Sequence, residues 1–179
     1  MNPRGIGSNC ILNVTFGVLL AMTLVATAGA EERRNFFGDP FVAVTAGFPG
    51  CPTPEGPLLT ESEMRAEAHS RTERGTRCYL SGACRLPNSY RYDREIIDRV
   101  RTHILYDGRF ATTSLWVLGQ RRWVTLKGCV RTKAQSAALA RIVREVDDVE
   151  AVFDELMVGN RGRPRYRTVD SQSQTAPPR

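Results

Sequence analysis

Between residues 93 and 158 the apolar residues recur at helical spacing in some stretches and at strand spacing in others. This pattern limits the possible fold more than any other feature of the sequence. Residues 93–107 and 132–146 carry apolar residues three or four positions apart, as amphipathic helices do. Three further runs alternate apolar and polar residues as strands do: 114–119, 122–131 and 149–158. The predicted order is helix, strand, strand, helix, strand.

Capping residues support the boundaries of both helices. Asp93 is expected to cap the first helix, which should end near Asp107 and Gly108. Thr132 and Gln135 form a capping box at the start of the second helix. The first two strands are joined tightly enough to form a β-hairpin.

The second strand, WVTLKGCVR over residues 123–131, shows which of its sides faces the core. In steps of two, one face collects the apolar residues and a glycine: Val124, Leu126, Gly128 and Val130. Cys129 therefore falls on the other face. Two tryptophans and a leucine share that outer face and need a cover: Trp116, Leu118 and Trp123. The cover could be a partner, a membrane or residues 31–92.

These residues resemble the BON domain, a family named for bacterial osmotically inducible and nodulation proteins. The resemblance rests on VTLKGCV at residues 124–130, a capped helix after it, a Val-x-x-Val step at 149–152 and a closing Leu-Met-Val at 156–158. Two turns depart from the family pattern, in which a glycine usually precedes the second strand and another precedes the last strand. Those two turns are Arg121-Arg122 and Asp147-Asp148.

The resemblance implies a single α+β domain over residues 93–159, with two helices on one face of a three-stranded sheet. It also implies an exported or membrane-attached protein of the bacterial envelope, associated with osmotic and envelope stress, that binds phospholipid or other envelope proteins. No member is known as an enzyme through this domain. Gly128 matches the family's characteristic glycine, and we expect it to let a helix approach the strand near Leu139 or Ile142.

The N-terminus has the pattern of a secretory signal peptide over residues 1–30. One positive charge at Arg4 precedes an apolar run over residues 11–26, which is shorter than the ~20 residues of a membrane-spanning helix. Small residues at positions 28 and 30 fit a cleavage site before Glu31. The pattern predicts a periplasmic protein. If the signal is not cleaved, the same run would anchor the protein in the inner membrane.

Export to an oxidising compartment makes disulfides the expected state of the cysteines that follow the signal: Cys51, Cys78, Cys84 and Cys129. No C-x-x-C spacing is present and neither histidine is near a cysteine in sequence, so no metal and no cofactor are predicted. Four cysteines allow three connectivities. If Cys78 pairs with Cys84 across a short loop, Cys129 pairs with Cys51, and this favoured arrangement fastens residues 31–92 to the sheet.

Residues 31–92 are expected to form a loop-rich extension that bears the disulfides. The first half of the extension is dense in Gly and Pro, which disfavours helices. Thr60 and Glu63 form a capping box that starts one charged surface helix over about residues 60–74, ending at Gly75.

Residues 160–179 hold most of the chain's formal net charge of +6, with five arginines and one acidic residue. Few apolar residues are available there for burial, so a disordered basic tail is predicted. The tail is either a solvated end or an arm that rests on anionic headgroups, through Arg161, Arg163, Arg165 and Arg167. Because the charge excess is concentrated in the tail, no nucleic-acid partner is expected.

Catalytic patterns are weak in this sequence. His69 and Glu73 lie one helical turn apart with Glu67 nearby, but such pairs arise by chance on a helix with interleaved charges. His103 falls on the polar side of its helix, and the sequence has no phosphate-cradling glycine loop. The sequence predicts a non-enzymatic envelope protein that binds anionic phospholipid or an envelope protein. A purely structural or protein-interaction module with no lipid ligand stays open, as does the oligomeric state.

Overall fold

The computed structural model describes residues 31–170, and the predicted signal peptide lies outside this range. The described residues form three α-helices, a short 3₁₀ helix at Ser89–Tyr92 and five strands. In chain order the main elements are β1 (Phe41–Ala46), α1 (Glu61–Leu80), α2 (Asp93–Asp107), β2 (Ser114–Gln120), β3 (Trp123–Val130), α3 (Lys133–Arg144), β4 (Ala151–Asp154) and β5 (Met157–Val158). No helix within residues 31–170 has the length and apolar character needed to cross a membrane.

The five strands form one mixed sheet in the order β1-β2-β3-β4, with β5 paired to the far end of β3. β2 is antiparallel to both β1 and β3, whereas β4 and β5 run parallel to β3. The α+β class and the predicted order of elements are confirmed. The sheet has five strands rather than three, because the extension contributes β1 and the last predicted strand is divided into β4 and β5.

The core lies between the sheet and the pair α2 and α3. The core-facing side of β3 is the predicted one, since Val124, Leu126 and Val130 are fully buried. They pack with the apolar stripes of the two helices, whose buried members include Ile96, Ile97, Val100, Ile104, Leu139 and Val143. Each such side chain contributes about 1.5–3 kcal/mol by leaving water. This burial holds α2, β2, β3 and α3 together as one unit.

Strand β1 was not predicted from the sequence. Phe41 pairs with Leu118 and Ala46 with Ser114, so the extension runs along the edge of β2. Val42 and Val44 pack against the main core. The Gly and Pro residues around this short run concealed its apolar alternation.

Helix α1 is longer than predicted, because it continues through Gly75 to Leu80. Thr60 and Glu63 form the expected capping box. Gly75 does not end the helix but permits a close contact, since a Cβ at this position would lie 2.6 Å from Nδ2 of Asn88. Gly75 is also the one buried residue of α1, so the helix lies on the surface.

Gly128 has a different role from the one expected. Its φ is +119°, a backbone conformation that side chains disfavour. A Cβ on Gly128 would lie 2.0 Å from the carbonyl oxygen of Ser114 in the neighbouring strand. The glycine is therefore required by the close approach of β2 and by its own backbone conformation, rather than by a helix near Leu139 or Ile142.

The described part of the predicted disordered tail is packed against the extension. We call residues 160–170 the C-terminal segment. Tyr166 in this segment is buried, and its hydroxyl donates to the carbonyl oxygen of Pro52 at 3.0 Å. The backbone N–H of Glu55 donates to the carbonyl of Arg167 at 2.8 Å. One aromatic side chain thus anchors a segment whose composition is otherwise polar. Residues 171–179 lie outside the described range.

Candidate anion-binding surface

Two disulfides hold the extension in place. Cys78 pairs with Cys84 and Cys51 pairs with Cys129, which is the connectivity favoured from the sequence. The sulfur of Cys129 lies on the face of the sheet opposite the helices, where this residue is fully buried. The long-range bridge therefore fixes the chain around Cys51 over the outer face.

A small apolar cluster surrounds the long-range bridge. Its buried members are Cys129, Met157 and Tyr166, and Phe48 and Cys51 pack against them. Since Tyr166 belongs to the C-terminal segment and Phe48 to the extension, the two meet over the end of β3. They provide the cover that this end of the outer face requires.

The three residues predicted to need a cover have different surroundings. Leu118 is buried, while Trp116 and Trp123 stay partly exposed. The ring of Trp123 packs against Phe153, with centroids 5.2 Å apart. The guanidinium of Arg121 stacks on the same indole, 3.7 Å from its centroid. The outer face is thus divided among several parts of the chain and is not one open apolar surface.

A buried ion pair, which the sequence did not reveal, links the extension to the hairpin. Two guanidinium nitrogens of Arg71 donate to the carboxylate of Asp39, which also accepts a hydrogen bond from Nε2 of Gln120 at 2.6 Å. The guanidinium lies between the rings of Phe37 and Tyr90, 4.3 and 3.7 Å from their centroids. Stacking and a two-nitrogen contact suit arginine better than lysine. Arg71 therefore fastens α1 to both the chain before β1 and the end of β2.

Asp93 does not cap α2 as predicted, but supports the turn between β2 and β3. Its carboxylate accepts hydrogen bonds from the backbone N–H groups of Arg121 and Arg122, both at 2.7 Å. These arginines have φ values of 60° and 66°, as a type I′ hairpin turn requires. In this turn the family resemblance led us to expect a glycine. The buried carboxylate stabilises a backbone that arginine alone would disfavour.

Burial also moves the pKa of the Asp93 carboxyl into the mildly acidic range. Loss of solvent raises its pKa to about 6, although the N–H groups of Arg122 and Arg121 oppose this rise. The charge of Asp39 raises the pKa further, and the charge of Arg71 lowers it. The carboxylate is therefore mostly ionised at neutral pH and mostly protonated near pH 5.

The C-terminal segment presents the four arginines predicted to contact anions. Tyr166 points inward, and Arg165 and Arg167 on either side of it are exposed. A hydrogen bond from the N–H of Val169 to the carbonyl of Thr53, 3.1 Å long, fixes the end of the segment. Within residues 31–170 no ion pair joins a carboxylate to any of these four exposed side chains: Arg161, Arg163, Arg165 and Arg167.

The histidines considered for catalysis lie on the surface. His69 is 87% exposed, with Nε2 3.3 Å from a carboxylate oxygen of Glu73. His103 is exposed on α2. Across residues 31–170 no three His, Cys, Asp or Glu side chains are placed to share a metal ion.

Comparison with protein families bears on the regular part of the chain. The family model of the BON domain matches residues 92–160. Residues 92–160 are a BON domain. No curated protein matches the chain. The BON domain indicates a module of the envelope-associated, phospholipid-binding type, from a family that is generally non-enzymatic.

The two departures from the BON pattern have structural explanations. Arg121 and Arg122 are held in their turn by Asp93, as described above. Asp148 also has a positive φ, 68°, in the turn before β4. Its carboxylate accepts a hydrogen bond from a guanidinium nitrogen of Arg99 on α2 at 3.1 Å. In each turn, hydrogen bonding to a carboxylate supports a residue that stands where a glycine is usual.

Proposed function

We propose that the chain is an exported, non-enzymatic periplasmic protein that binds anionic phospholipid of the bacterial envelope, with a role in osmotic or envelope stress. In this proposal residues 1–30 direct export and are removed. Residues 31–92 and the C-terminal segment pack on the outer face of the BON domain. The contacts with phospholipid are made by Arg161, Arg163, Arg165 and Arg167.

The observation that carries this proposal is the anchoring of those arginines beside the buried Tyr166. A cationic side chain near an anionic membrane surface contributes about 1 kcal/mol. An anchored segment loses less conformational entropy on binding than a free tail does. Four exposed guanidinium groups on a fixed backbone are therefore suited to a flat array of phosphate headgroups.

Co-sedimentation with vesicles tests the proposal. The mature chain, residues 31–179, is mixed with vesicles of phosphatidylglycerol and phosphatidylcholine or of phosphatidylcholine alone, at low and high salt. We expect binding to the anionic vesicles only, weakened by salt because surface charges are screened. Replacing the four arginines of the C-terminal segment by glutamine should weaken this binding at least about tenfold.

A matched control removes four other exposed arginines that form no ion pair within residues 31–170: Arg94, Arg101, Arg141 and Arg144. This variant loses the same charge and should keep most of its vesicle binding. Equal weakening in the two variants would show that net charge alone causes binding. Equal sedimentation with neutral and anionic vesicles would contradict the proposal and favour a structural or protein-interaction module.

A further inference from the structure

A cleft lies between the end of α1 and the turn that joins β2 to β3. It has a volume of about 620 Å³. Four of its lining residues are arginines, and one is acidic, Glu150: Arg74, Arg77, Arg121 and Arg122. The extension and the BON domain both contribute arginines, so the cleft exists only where the two meet.

Three of the four arginines are available to bind an anion. Arg74 is paired with Glu67. Within the described range, Arg77, Arg121 and Arg122 form no ion pair with a carboxylate. The cleft therefore keeps an excess of positive charge after Glu150 is counted.

Two of these guanidinium groups are already held in position. Arg121 stacks on the indole of Trp123. Arg122 donates through Nε to the carbonyl oxygen of Asp148 at 2.9 Å and through a terminal nitrogen to Sγ of Cys84 at 3.1 Å. Each retains N–H groups that take no part in these contacts. A preorganised donor loses little entropy when a ligand binds.

Two buried polar groups in the cleft wall have no hydrogen-bond partner. They are Oγ of Ser89, in a residue that is 1% exposed, and Nε1 of Trp123. The only other such side-chain atom within residues 31–170 is Nε of Arg99, which does not line this cleft. A buried donor without an acceptor costs free energy, and an acceptor supplied by a ligand would remove that cost.

The end of α1 does not oppose an anion strongly. The C-terminal carbonyl groups of a helix carry partial negative charge. Here the carbonyl of Cys78 accepts from Ala83, Cys84 and the hydroxyl of Ser81, and the carbonyl of Arg77 accepts from the N–H of Ser81. These acceptors are therefore already occupied.

We propose that this cleft binds the phosphate group of an anionic ligand, through Arg77, Arg121 and Arg122 together with the donors of Ser89 and Trp123. Guanidinium groups match phosphate oxygens in geometry, and every unpartnered group in the wall can donate a hydrogen bond. Tyr79 and Leu80, which are 48% and 80% exposed, adjoin the cleft-lining Cys78 in the chain. Exposed apolar side chains beside a phosphate site favour the headgroup of a phospholipid as the source, and this assignment of source rests on the proposed function.

Nuclear magnetic resonance tests the phosphate site directly. The chain has two tryptophans, so its spectrum should contain two indole N–H signals. Inorganic phosphate or sn-glycerol 3-phosphate is added to the mature chain at constant ionic strength, with chloride as the reference anion. We expect one indole signal to move saturably and Trp123→Phe to identify it. Arg77→Gln should weaken the binding about tenfold, because a charge-assisted hydrogen bond is lost.

Two further variants control for charge and for local packing. Arg141→Gln removes one exposed charge on α3, outside the cleft, and should leave phosphate binding within about twofold of the wild type. Ser89→Ala removes a buried hydroxyl with no partner, so it should weaken phosphate binding without lowering stability. A chloride-like response, or equal weakening by Arg77→Gln and Arg141→Gln, would overturn the proposal.

Vesicle experiments separate the two sources of phosphate. If the site takes a headgroup, Arg77→Gln weakens binding to phosphatidylglycerol vesicles, and sn-glycerol 3-phosphate competes with them. If the site takes a soluble phosphate, the wild-type protein shows the indole response, and Arg77→Gln binds vesicles as well as the wild type does. This result supports the site and rejects the lipid source. Vesicle binding by the wild type without any indole response to phosphate would overturn the cleft and leave the proposed function standing. An indole response to phosphate without vesicle binding would support the phosphate site in the cleft and contradict the proposed function.

Discussion

The buried carboxylate of Asp93 accepts a hydrogen bond from the backbone N–H of Arg122 at 2.7 Å, and so joins the start of α2 to the hairpin turn. The same carboxylate binds the N–H of Arg121. An acidic group in this position must either stay charged away from water or take up a proton. Its protonation is therefore coupled to the stability of the fold.

Stability should fall as the pH rises through the titration of Asp93. Its folded pKa of about 6 lies above the ordinary value of 3.8, so the folded chain binds more protons than the unfolded chain between these pH values. The stabilisation is complete below about pH 4 and is lost as the pH rises through 6. The loss attributable to Asp93 is on the order of 2–3 kcal/mol.

Asp93→Asn provides the comparison for this effect. Asparagine does not titrate, and the other carboxylates titrate in both proteins. Urea unfolding from pH 4 to pH 7.5 should therefore show a difference in unfolding free energy that changes with pH. Parallel pH profiles of the two proteins would mean that Asp93 keeps an ordinary pKa.

Removing the long-range disulfide should destabilise the protein more than removing the local one. Cys51 and Cys129 are 78 residues apart, whereas Cys78 and Cys84 are 6 apart. Closing the longer loop restricts the unfolded chain more, with expected contributions of about 4 and about 2 kcal/mol. Paired serine variants, unfolded by urea, measure the difference.

Loss of the long-range bridge has a second readout in tryptophan fluorescence. Cys129→Ser should loosen the extension over the outer face and shift the emission of Trp116 and Trp123 to the red. The Cys78→Ser/Cys84→Ser variant should change the packing of the Cys129 cluster far less. A free Cys129 thiol, alkylated readily in the native wild-type protein, would contradict the bridge itself.

Tyr166 should account for most of the stability that the C-terminal segment provides. Tyr166→Phe loses the hydrogen bond to Pro52 and should cost about 1 kcal/mol. Tyr166→Ala also leaves a cavity beside Met157 and should cost about 3–4 kcal/mol. Val169→Ala, at an exposed neighbour, is the control and should stay within about 0.5 kcal/mol.

Truncation separates the anchored residues from those after them. Ending the chain after residue 170 keeps Tyr166 and its contacts, so stability should be close to that of the full mature chain. Ending it after residue 159 should lower the melting temperature. Equal melting temperatures for the two truncated chains would show that Tyr166 does not contribute through packing.

Gly128→Ala should be strongly destabilising. The new Cβ would meet the carbonyl oxygen of Ser114 at 2.0 Å, and the φ of +119° adds strain. The two effects together should cost more than about 3 kcal/mol. Gly162→Ala is the matched control, because Gly162 has a φ of +108° but no atom within 4 Å of its Cβ position. Similar losses in the two variants would show that backbone strain alone accounts for the effect.

The elements of the BON domain could be predicted because each has its own apolar period or alternation within a short stretch of sequence. The apolar period places Ile96 and Val100 on one side of α2, and alternation places Leu126 and Val130 on one side of β3. The favoured disulfides also followed from local spacing and from the face that Cys129 occupies. These signals depend little on the rest of the chain.

The parts that could not be predicted depend on partners distant in sequence. From its position in the sequence, Asp93 is expected to cap a helix. The hydrogen-bond partner that it has in the structure, the backbone N–H of Arg121, lies 28 residues later in the chain. Tyr166 is one aromatic residue in a polar segment, and the cluster that buries it brings together Phe48, Cys51 and Cys129 from distant parts of the chain. The strand at Phe41–Ala46 forms because it can pair with the open edge of β2. The composition of residues 41–46 does not indicate that such an edge is available.

Tyr166 packs on the cluster that contains the Cys51–Cys129 bridge. The support of the arginines in the C-terminal segment therefore depends in part on the oxidation state of these two cysteines. Opening that bridge would free the chain around Cys51 from β3 and remove part of the support under Tyr166, while β1 would stay paired with β2. Arg165 and Arg167, on either side of Tyr166, would then be held less firmly. The oxidation of one cysteine pair therefore helps to set how firmly these basic side chains are held.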